Sequence, residues 1–485
     1  MTHDVTTTAD VALQPSPFAA EAGLAETGLT ETGLAETGLA ATGLAATGSS
    51  AETVPGSDVA VTSRRSRWGL LNQVNFRRLF VADVTSQMGT QISGIALALV
   101  AAVTLRATPF EMGVIAAADT VPFLFASLPA GALADRVRRR PVMIACDVGR
   151  LLAVASVPIA WWTHTLAIWL LVVVAFVIGT LSAIFDVAYQ SLLPQLVRPD
   201  ELVEANAKLQ GVNAVSQIGG PAAAGQLIRA VSAPVAVGFD AISYFVSAIL
   251  LGSIRHHEPK PERSQDAHLG RDIAEGVRFV LREPLLRAIA ATAGVSNLFN
   301  AITNALLFFL LARVLNVSAG SIGLLVTVAT IGGLVGALTA TKIAAKVGQG
   351  RTIWMSMAFS GFFMLGIPML TRANMWYMAA AFTVAVGGGV VFNVAQISFR
   401  QQLAPPHLLG RVNATMRFLI LGIMPVGGIL GGALATWIGV RPTLWVAAVG
   451  SVLSFLPAYL SPLRNMRELP KHDPDGDTTG AHGQA

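Results

Sequence analysis

The sequence is short of the residues on which a soluble or disulfide-linked protein depends. It has one cysteine, Cys146, which excludes an internal disulfide and a cysteine-based metal cluster. Charged residues make up only 13% of the 485 residues, against roughly 25% in a soluble globular protein. Soluble domains of this total length would need more polar surface, so we expect lipid to form part of the solvent.

Catalytic and nucleotide-binding motifs are also missing. The sequence contains no G-x-x-x-x-G-K-[ST] loop for ATP phosphates, no His-Glu zinc pattern and no G-x-S-x-G elbow. We therefore predict that the protein is not an enzyme and carries no cofactor and no metal. The net charge of +5 indicates membrane topology and anionic lipid, and we predict no nucleic-acid partner.

Residues 1–63 differ from the rest of the chain. Pentapeptides such as ETGLA follow one another from Glu21, with a glycine in every unit and no aromatic residue. A glycine costs a helix about 1 kcal/mol relative to alanine, and the segment has little to bury. We predict a disordered tail, either dispensable or partner-binding, and not a signal peptide, because a basic start and a continuous apolar core are absent.

Long apolar runs begin at Leu79 and recur along the chain. Each is about 20 residues or longer, enough to cross ~30 Å of hydrocarbon, and helices satisfy their own backbone hydrogen bonds in lipid. The sequence therefore predicts an all-α integral membrane protein with twelve transmembrane helices. The predicted spans are 79–105, 111–134, 141–162, 166–189, 206–229, 234–254, 286–313, 320–344, 352–371, 374–397, 412–437 and 441–461.

The basic residues give the predicted orientation. Most of the 33 Lys and Arg lie at one side of the predicted membrane when the N-terminus is placed in the cytoplasm. By the positive-inside rule, both termini are then cytoplasmic, and the protein is a multi-pass protein of the inner, or cytoplasmic, membrane.

An internal repeat divides the membrane part into two related halves. At an offset of 207 residues, Phe185, Gln195 and Asn206 recur as Phe392, Gln402 and Asn413 among ten ungapped identities. We predict two six-helix halves with the substrate path between them, the parallel-repeat architecture of one large class of transporters. The predicted segments are the half 64–254, a cytoplasmic central loop 255–285, the half 286–462 and a disordered cytoplasmic tail 463–485.

The loop after the second span carries a recognisable motif, formed by Gly131, Asp135, Arg136, Arg139 and Arg140. It resembles the G-x-x-x-D-R-x-x-R-R signature of the major facilitator superfamily. The glycine allows close helix approach, the aspartate can pair across a domain interface, and the arginines hold the loop at the anionic leaflet. The alternative is a plain basic loop.

The fifth span contains a second motif, Gly220, Pro221 and Gly225. It resembles in part the helix 5 antiporter signature of drug/proton exporters in the same superfamily, with Ser216 and Ala224 where the pattern has glycine. The small residues allow tight packing, and the proline can bend the helix at a gating interface. An ordinary packing face is the other interpretation.

Further stretches, including Asn75-Phe-Arg-Arg-Leu and Gly410-Arg-Val-Asn-Ala, resemble the branch that contains the enterobactin exporter and macrolide efflux proteins. The resemblance covers about 70–462. It implies a monomeric secondary exporter of a small amphipathic molecule such as a drug, antibiotic or siderophore, driven by proton antiport. The alternatives are a nutrient uptake transporter and a non-transporting membrane sensor or assembly protein.

Ionisable residues inside predicted spans are functional candidates, because a charge in hydrocarbon is costly. We predict Asp83, then Asp119, as the proton-coupling carboxyl. Asp147 and Arg150, three residues apart, share a helix face and can pair. The alternative is that these groups form structural pairs or caps.

Uncharged polar residues mark a possible substrate cavity. Asn297, Asn300 and Asn304 form a stripe on the seventh span, and Gln87 and Gln91 follow Asp83 on the first. Such a stripe faces a cavity or a neighbouring helix rather than lipid, and the sequence leaves both possibilities open.

Overall fold

A computed structural model describes residues 69–134, 138–255, 277–403 and 409–467, with the backbone alone at 126–134, 409–411 and 414. In these ranges every regular element is helical, so the predicted all-α class is confirmed. Asp135, Arg136, the tail 1–63, most of the central loop and most of the tail 463–485 lie outside the described residues, and the predictions made for them stay predictions.

The first half contains six long helices, and the first ends in a π-helical turn, Val100–Thr104. The helices are α1 Val74–Leu99, α2 Pro109–Ala134, α3 Arg139–Trp162, α4 Ile168–Leu196, α5 Leu202–Val231 and α6 Ala233–Ser253.

The second half repeats this series, and its first helix also ends in a π-helical turn, Leu310–Val314. The helices are α7 Pro284–Phe309, α8 Ala319–Val347, α9 Gln349–Met364, α10 Met375–Leu403, α11 Leu409–Gly422, α12 Met424–Ile438, α13 Val440–Leu453 and α14 Leu456–Tyr459.

Nine segments of the described chain are long and apolar enough to cross a membrane. Helices α2, α5 and α9 coincide with the other three predicted spans. Helix α9 has 16 residues, fewer than the ~20 that a membrane-spanning helix needs.

Several predicted boundaries are wrong. Helices α4 and α10 continue to Leu196 and Leu403, because their polar last turns remain helical beyond the apolar run. Helix α9 stops at Met364, where Gly366 and Pro368 follow in a series of turns. The eleventh predicted span is two helices, α11 and α12, because Pro425 in the first turn of α12 cannot donate a backbone hydrogen bond to α11.

The two halves have the same packing pattern. In the first, α1 packs on α5 and α6, α2 on α4, and α3 on α4 and α6. In the second, α7 packs on α12 and α13, α8 on α10, and α9 on α10 and α13. Corresponding helices therefore occupy corresponding places, as the sequence repeat predicts for related halves.

Backbone landmarks fix which residues correspond. The two π-helical turns differ by 210 residues, and so do Arg106 and Asn316, which have positive φ of 55° and 49°. Helix α10 repeats α4 residue for residue at an offset of 207, and Ser232 and Gly439, with φ of 104° and 93°, keep that offset. The correspondence is thus 210 residues for α1–α3 and 207 for α4–α6.

Contacts between the halves concentrate at one end of the bundle. We call the end at which α1 begins and α2 finishes the basic end, after Arg77, Arg78 and Arg140, and the other the opposite end. At the opposite end one apolar cluster includes buried residues of both halves, such as Leu99 and Leu306. At the basic end the described core residues form two separate clusters, one in each half.

Two helix pairs, α5 with α8 and α2 with α12, form this junction. A Cβ atom added at Gly225 would lie 2.5 Å from the carbonyl oxygen of Ala319. One added at Gly432, the residue that corresponds to Gly225, would lie 2.8 Å from the carbonyl oxygen of Pro109. Both glycines are therefore required for close backbone approach at the opposite end.

Candidate functional site

A buried ion pair lies at the centre of the first half. Arg150 and Asp147, both on α3, are 4% and 0% exposed, and Arg150 Nη2 donates to Asp147 Oδ1 at 2.5 Å. Ser247 Oγ on α6 donates to the second oxygen, Asp147 Oδ2, at 2.7 Å. A buried pair persists in a low-dielectric interior only when its remaining lone pairs are satisfied in this way.

Aromatic rings hold the guanidinium from both sides. The Arg150 Cζ atom lies 4.3 Å from the ring centroid of Phe185 on α4 and 4.7 Å from that of Tyr244 on α6. Arg150 Nη1 also donates to Ser182 Oγ at 3.4 Å. These contacts fix the cation between α3, α4 and α6.

A second fully buried carboxyl, Asp240 on α6, lies within electrostatic range of Arg150. Ser243 Oγ donates to Asp240 Oδ1 at 2.7 Å, and the side chains of Ser93 and Tyr244 lie within hydrogen-bonding range of the same carboxyl. The interior of the first half therefore contains two carboxyl groups and one guanidinium.

Two more carboxyls are accessible. Asp83 on α1 is half-buried, Gln87 lies within hydrogen-bonding range of it, and the charges of Asp83 and Asp186 act on each other. Asp186 on α4 is exposed and lies within electrostatic range of Arg150 and of Arg417 on α11, in the second half. This carboxyl pair therefore links the buried cluster to the other half.

The second predicted coupling residue, Asp119, lies elsewhere. It is exposed on α2, and its backbone carbonyl packs against Gly179 of α4. Gly179 is two helical turns, about 10 Å, from Asp186 toward the opposite end. The structure thus places Asp83 in the carboxyl cluster and Asp119 beside a different part of the same helix.

The two sequence motifs lie at helix interfaces. Gly220 packs against the side chain of Gln91, while Pro221 and Gly225 meet α8 of the second half.

In the loop motif, Arg140 Nε donates to the carbonyl oxygen of Leu251 at 2.8 Å, and its Nη2 donates to the carbonyl oxygen of Gly252. That arginine joins the start of α3 to the end of α6. Arg139 adjoins it at the start of α3, and the backbone of Gly131 lies in the last turn of α2.

The second half contains a cavity of about 450 Å³ between α7, α9, α10, α11 and α13. Asn297 and Asn300 line it, and none of the described acidic or basic side chains does. Asn297 Nδ2 donates to the carbonyl oxygen of Ile420 at 3.1 Å. Asn304 is exposed and donates to Asn300 Oδ1, so it supports the cavity wall rather than forming it.

Sequence reasoning missed Tyr244, Ser360, Asn393 and Gln396. The last two lie in the aligned repeat, where Asn393 corresponds to Asp186 and Gln396 to Tyr189. A comparison of the differences in that repeat, in addition to its identities, would have drawn attention to both.

The helix order, the repeated packing and the polar groups inside each half define a multi-pass membrane transporter with the major facilitator fold. A bacterial homologue of the iron transporter ferroportin, solved in an inward-facing state, matches with a TM-score of 0.67 at 13% identity, over 80% of this chain and 98% of that one.

Residues 65–475 match the transmembrane secretion effector family, MFS_3, and the chain belongs to that family. The multidrug efflux pump Tap of Mycolicibacterium fortuitum is 28% identical over 363 residues, 72% of this chain and 87% of the relative. The enterobactin exporter EntS of Escherichia coli O127:H6 is 24% identical over 390 residues, 79% of this chain and 89% of the relative. The predicted superfamily and branch are confirmed.

Proposed function

We propose that this protein is a monomeric secondary exporter that moves a small amphipathic molecule out of the cell in exchange for protons. Two relatives carry the names of a multidrug efflux pump and an enterobactin exporter, which supports the direction of transport. The basic end faces the cytoplasm in this proposal, since it carries the arginines that the positive-inside rule assigns to that side.

The observation that carries the proposal is the excess of carboxyl groups in the first half. Asp147, Asp186 and Asp240 lie within electrostatic range of the Arg150 guanidinium, and Asp147 already pairs with it, while Asp83 acts on Asp186. Uncompensated charges in a membrane protein are costly, so such a cluster favours exchange of a proton for another cation or a donor group.

Asp83 is the proton carrier in this scheme. It is half-buried, and it acts on Asp186, which lies within electrostatic range of Arg417 of the second half. A proton on Asp83 removes one negative charge from this group and weakens the repulsion between the two carboxyls. Protonation of Asp83 therefore changes the electrostatic attraction between the two halves near the basic end, where the halves separate.

The junction at the opposite end fits a state that is open to the cytoplasm. With the basic end in the cytoplasm, the halves meet at the external side and separate at the cytoplasmic side, where an exporter receives its substrate. A proton entering down its gradient supplies about 1.4 kcal/mol per pH unit and ~2.3 kcal/mol per 100 mV.

The test is proton-coupled efflux in proteoliposomes that contain a pH-sensitive dye. Asp83→Asn is expected to abolish substrate-dependent proton movement while the protein still elutes as a folded monomer. Asp200→Asn is the matched control, because that carboxyl is 54% exposed in the turn between α4 and α5. Normal exchange by Asp83→Asn and its loss in Asp119→Asn would move the coupling role to α2, and exchange by both variants would contradict proton antiport through these carboxyls.

A further inference from the structure

The cavity of the second half corresponds in position to the charged cluster of the first. On α9, the residue that corresponds to Arg150 is Ser360, by the offset of 210 residues. On α13, the residue that corresponds to Tyr244 is Ser451, by the offset of 207. Both serines line the cavity.

An independent contact supports this correspondence. In the first half, Gly89 of α1 packs against Ser243 of α6. In the second, Phe299 of α7 packs against Gly450 of α13, and these residues stand at the same two offsets. These helices therefore meet in the same register, so the residues of the two sites can be compared position by position.

Replacing a guanidinium and a phenol by two hydroxymethyl groups leaves space. Asp83 and Asp186 are replaced in the same way by Ala293 and Asn393, so the charge is lost together with the volume. An ionic ligand entering this cavity would lose its hydration and find no counter-charge on the lining residues. The cavity therefore favours an uncharged group.

One polar side chain of the cavity wall, Gln396, has an oxygen that accepts no hydrogen bond from the described residues. Gln396 on α10 is 4% exposed and lines the cavity, and its Nε2 donates to Asn393 Oδ1 at 3.0 Å. Its Oε1 has no hydrogen-bond partner among the described residues. A buried acceptor without a partner is unfavourable, and a small rotation of the amide would turn this oxygen toward an O–H or N–H donor in the cavity.

Apolar side chains complete the lining, notably Met364, Phe382 and Phe392. Methionine adapts to irregular ligands, and aromatic rings pack on flat apolar ones. We infer that this cavity is a binding subsite for an uncharged, lipophilic part of the transported molecule whose hydroxyl or amide N–H donates to Gln396 Oε1. The inference rests on the proposed function, because it assigns a substrate class to that transport path.

Three dyes with one fluorophore test the chemistry: a BODIPY primary alcohol, its methyl ether and its trimethylammonium derivative. Fluorescence anisotropy with the detergent-purified full chain is expected to show saturable binding of the alcohol. The ether should bind about five- to tenfold more weakly, because it lacks the donor. The ammonium dye should not displace the alcohol.

Variants locate the subsite. Gln396→Leu is expected to weaken binding of the alcohol to the level of the ether, and the exposed Gln217→Leu on α5 should change neither. Ser451→Tyr restores the phenol of the first half and should remove binding of both neutral dyes. Monomeric elution of each variant checks folding, and the conservative Gln396→Asn offers a second test if the leucine variant does not fold.

Equal binding of alcohol and ether, displacement by the ammonium dye, or unchanged binding by Ser451→Tyr would each overturn the inference. The binding assay needs no gradient, so its failure is distinct from failure of transport. Binding without proton-driven efflux in proteoliposomes would refute the proposed function and leave the subsite standing.

Discussion

The two halves have the same arrangement of helices, and they differ in the side chains at the centre of that arrangement. In the first, Arg150 is held between two rings and paired with Asp147. In the second, the corresponding space is an uncharged cavity beside Ser360 and Gln396. Packing of the helices is thus independent of the chemistry at their centre, and a few side chains determine whether a half holds a fixed ion pair or an open pocket.

The largest expected effect is on stability. Arg150→Met would leave the fully buried Asp147 carboxylate without its cation, which costs about 3–5 kcal/mol when one partner of a buried pair is removed. Ser360→Ala, at the corresponding position, loses one hydrogen bond to the carbonyl oxygen of Ala385 and should cost about 1 kcal/mol. Thermal unfolding of both variants in detergent measures the difference.

Adding Asp147→Asn to Arg150→Met should recover much of the lost stability, since the buried charge is then gone. Equal losses of stability in Arg150→Met and Ser360→Ala would contradict the difference between the centres of the two halves.

A smaller effect is expected where the halves are alike. Gly225→Ala and Gly432→Ala each insert a Cβ atom against a backbone carbonyl of the opposing half, and overpacking of this kind costs about 1–3 kcal/mol. Both variants should loosen the junction at the opposite end. A cysteine at Ala102, a fully buried position there, should react with a maleimide at least about fivefold faster in each.

The reporter belongs in a Cys146→Ser background, which removes the one native thiol. Gly219→Ala is the matched control, because no heavy atom lies within 4 Å of its added Cβ atom. If only one of the two interface variants changed the labelling rate, the junction would be asymmetric.

The smallest expected effect concerns the turn between α4 and α5. Gln73 Nε2 donates to both carboxyl oxygens of Glu201, at 3.1 and 3.0 Å, and this hydrogen bond is the main cause that lowers the pKa of Glu201. A lowered pKa contributes stability above the unfolded value of ~4.3, and that contribution is lost as the pH falls through the folded value.

Gln73→Leu should therefore reduce the melting temperature slightly at pH 7, and the difference from the wild type should shrink as the pH falls below ~4.3. In the second half, Leu408 corresponds to Glu201 by the offset of 207 residues and cannot titrate. A deficit that stayed constant well below pH ~4.3 would indicate lost packing instead of a lost charge interaction.

The sequence alone was sufficient for the class of fold, because apolar runs and basic ends reflect the bilayer directly. It also placed Asp147 and Arg150 on one face of a helix, because residues three positions apart in a helix are neighbours. It could not show that Tyr244, about a hundred residues away, stacks on Arg150, since only tertiary packing joins α6 to α3. Gln396 and Asn393 could be found in the sequence only as differences within the repeat, and the hydrogen bonding of the Gln396 oxygen exists only in the folded chain.

Helix α9, with 16 residues from Gln349 to Met364, is about 24 Å long. The hydrocarbon core is ~30 Å thick, so lipid beside this helix must thin locally or be covered by the apolar turns at residues 365–369. Mismatch costs fractions of a kcal/mol per Å, and it acts on the helix that carries Met357, Ser360 and Met364 into the cavity wall. The thickness of the membrane therefore affects the shape of the cavity, and lipids with shorter acyl chains should favour the shape described here.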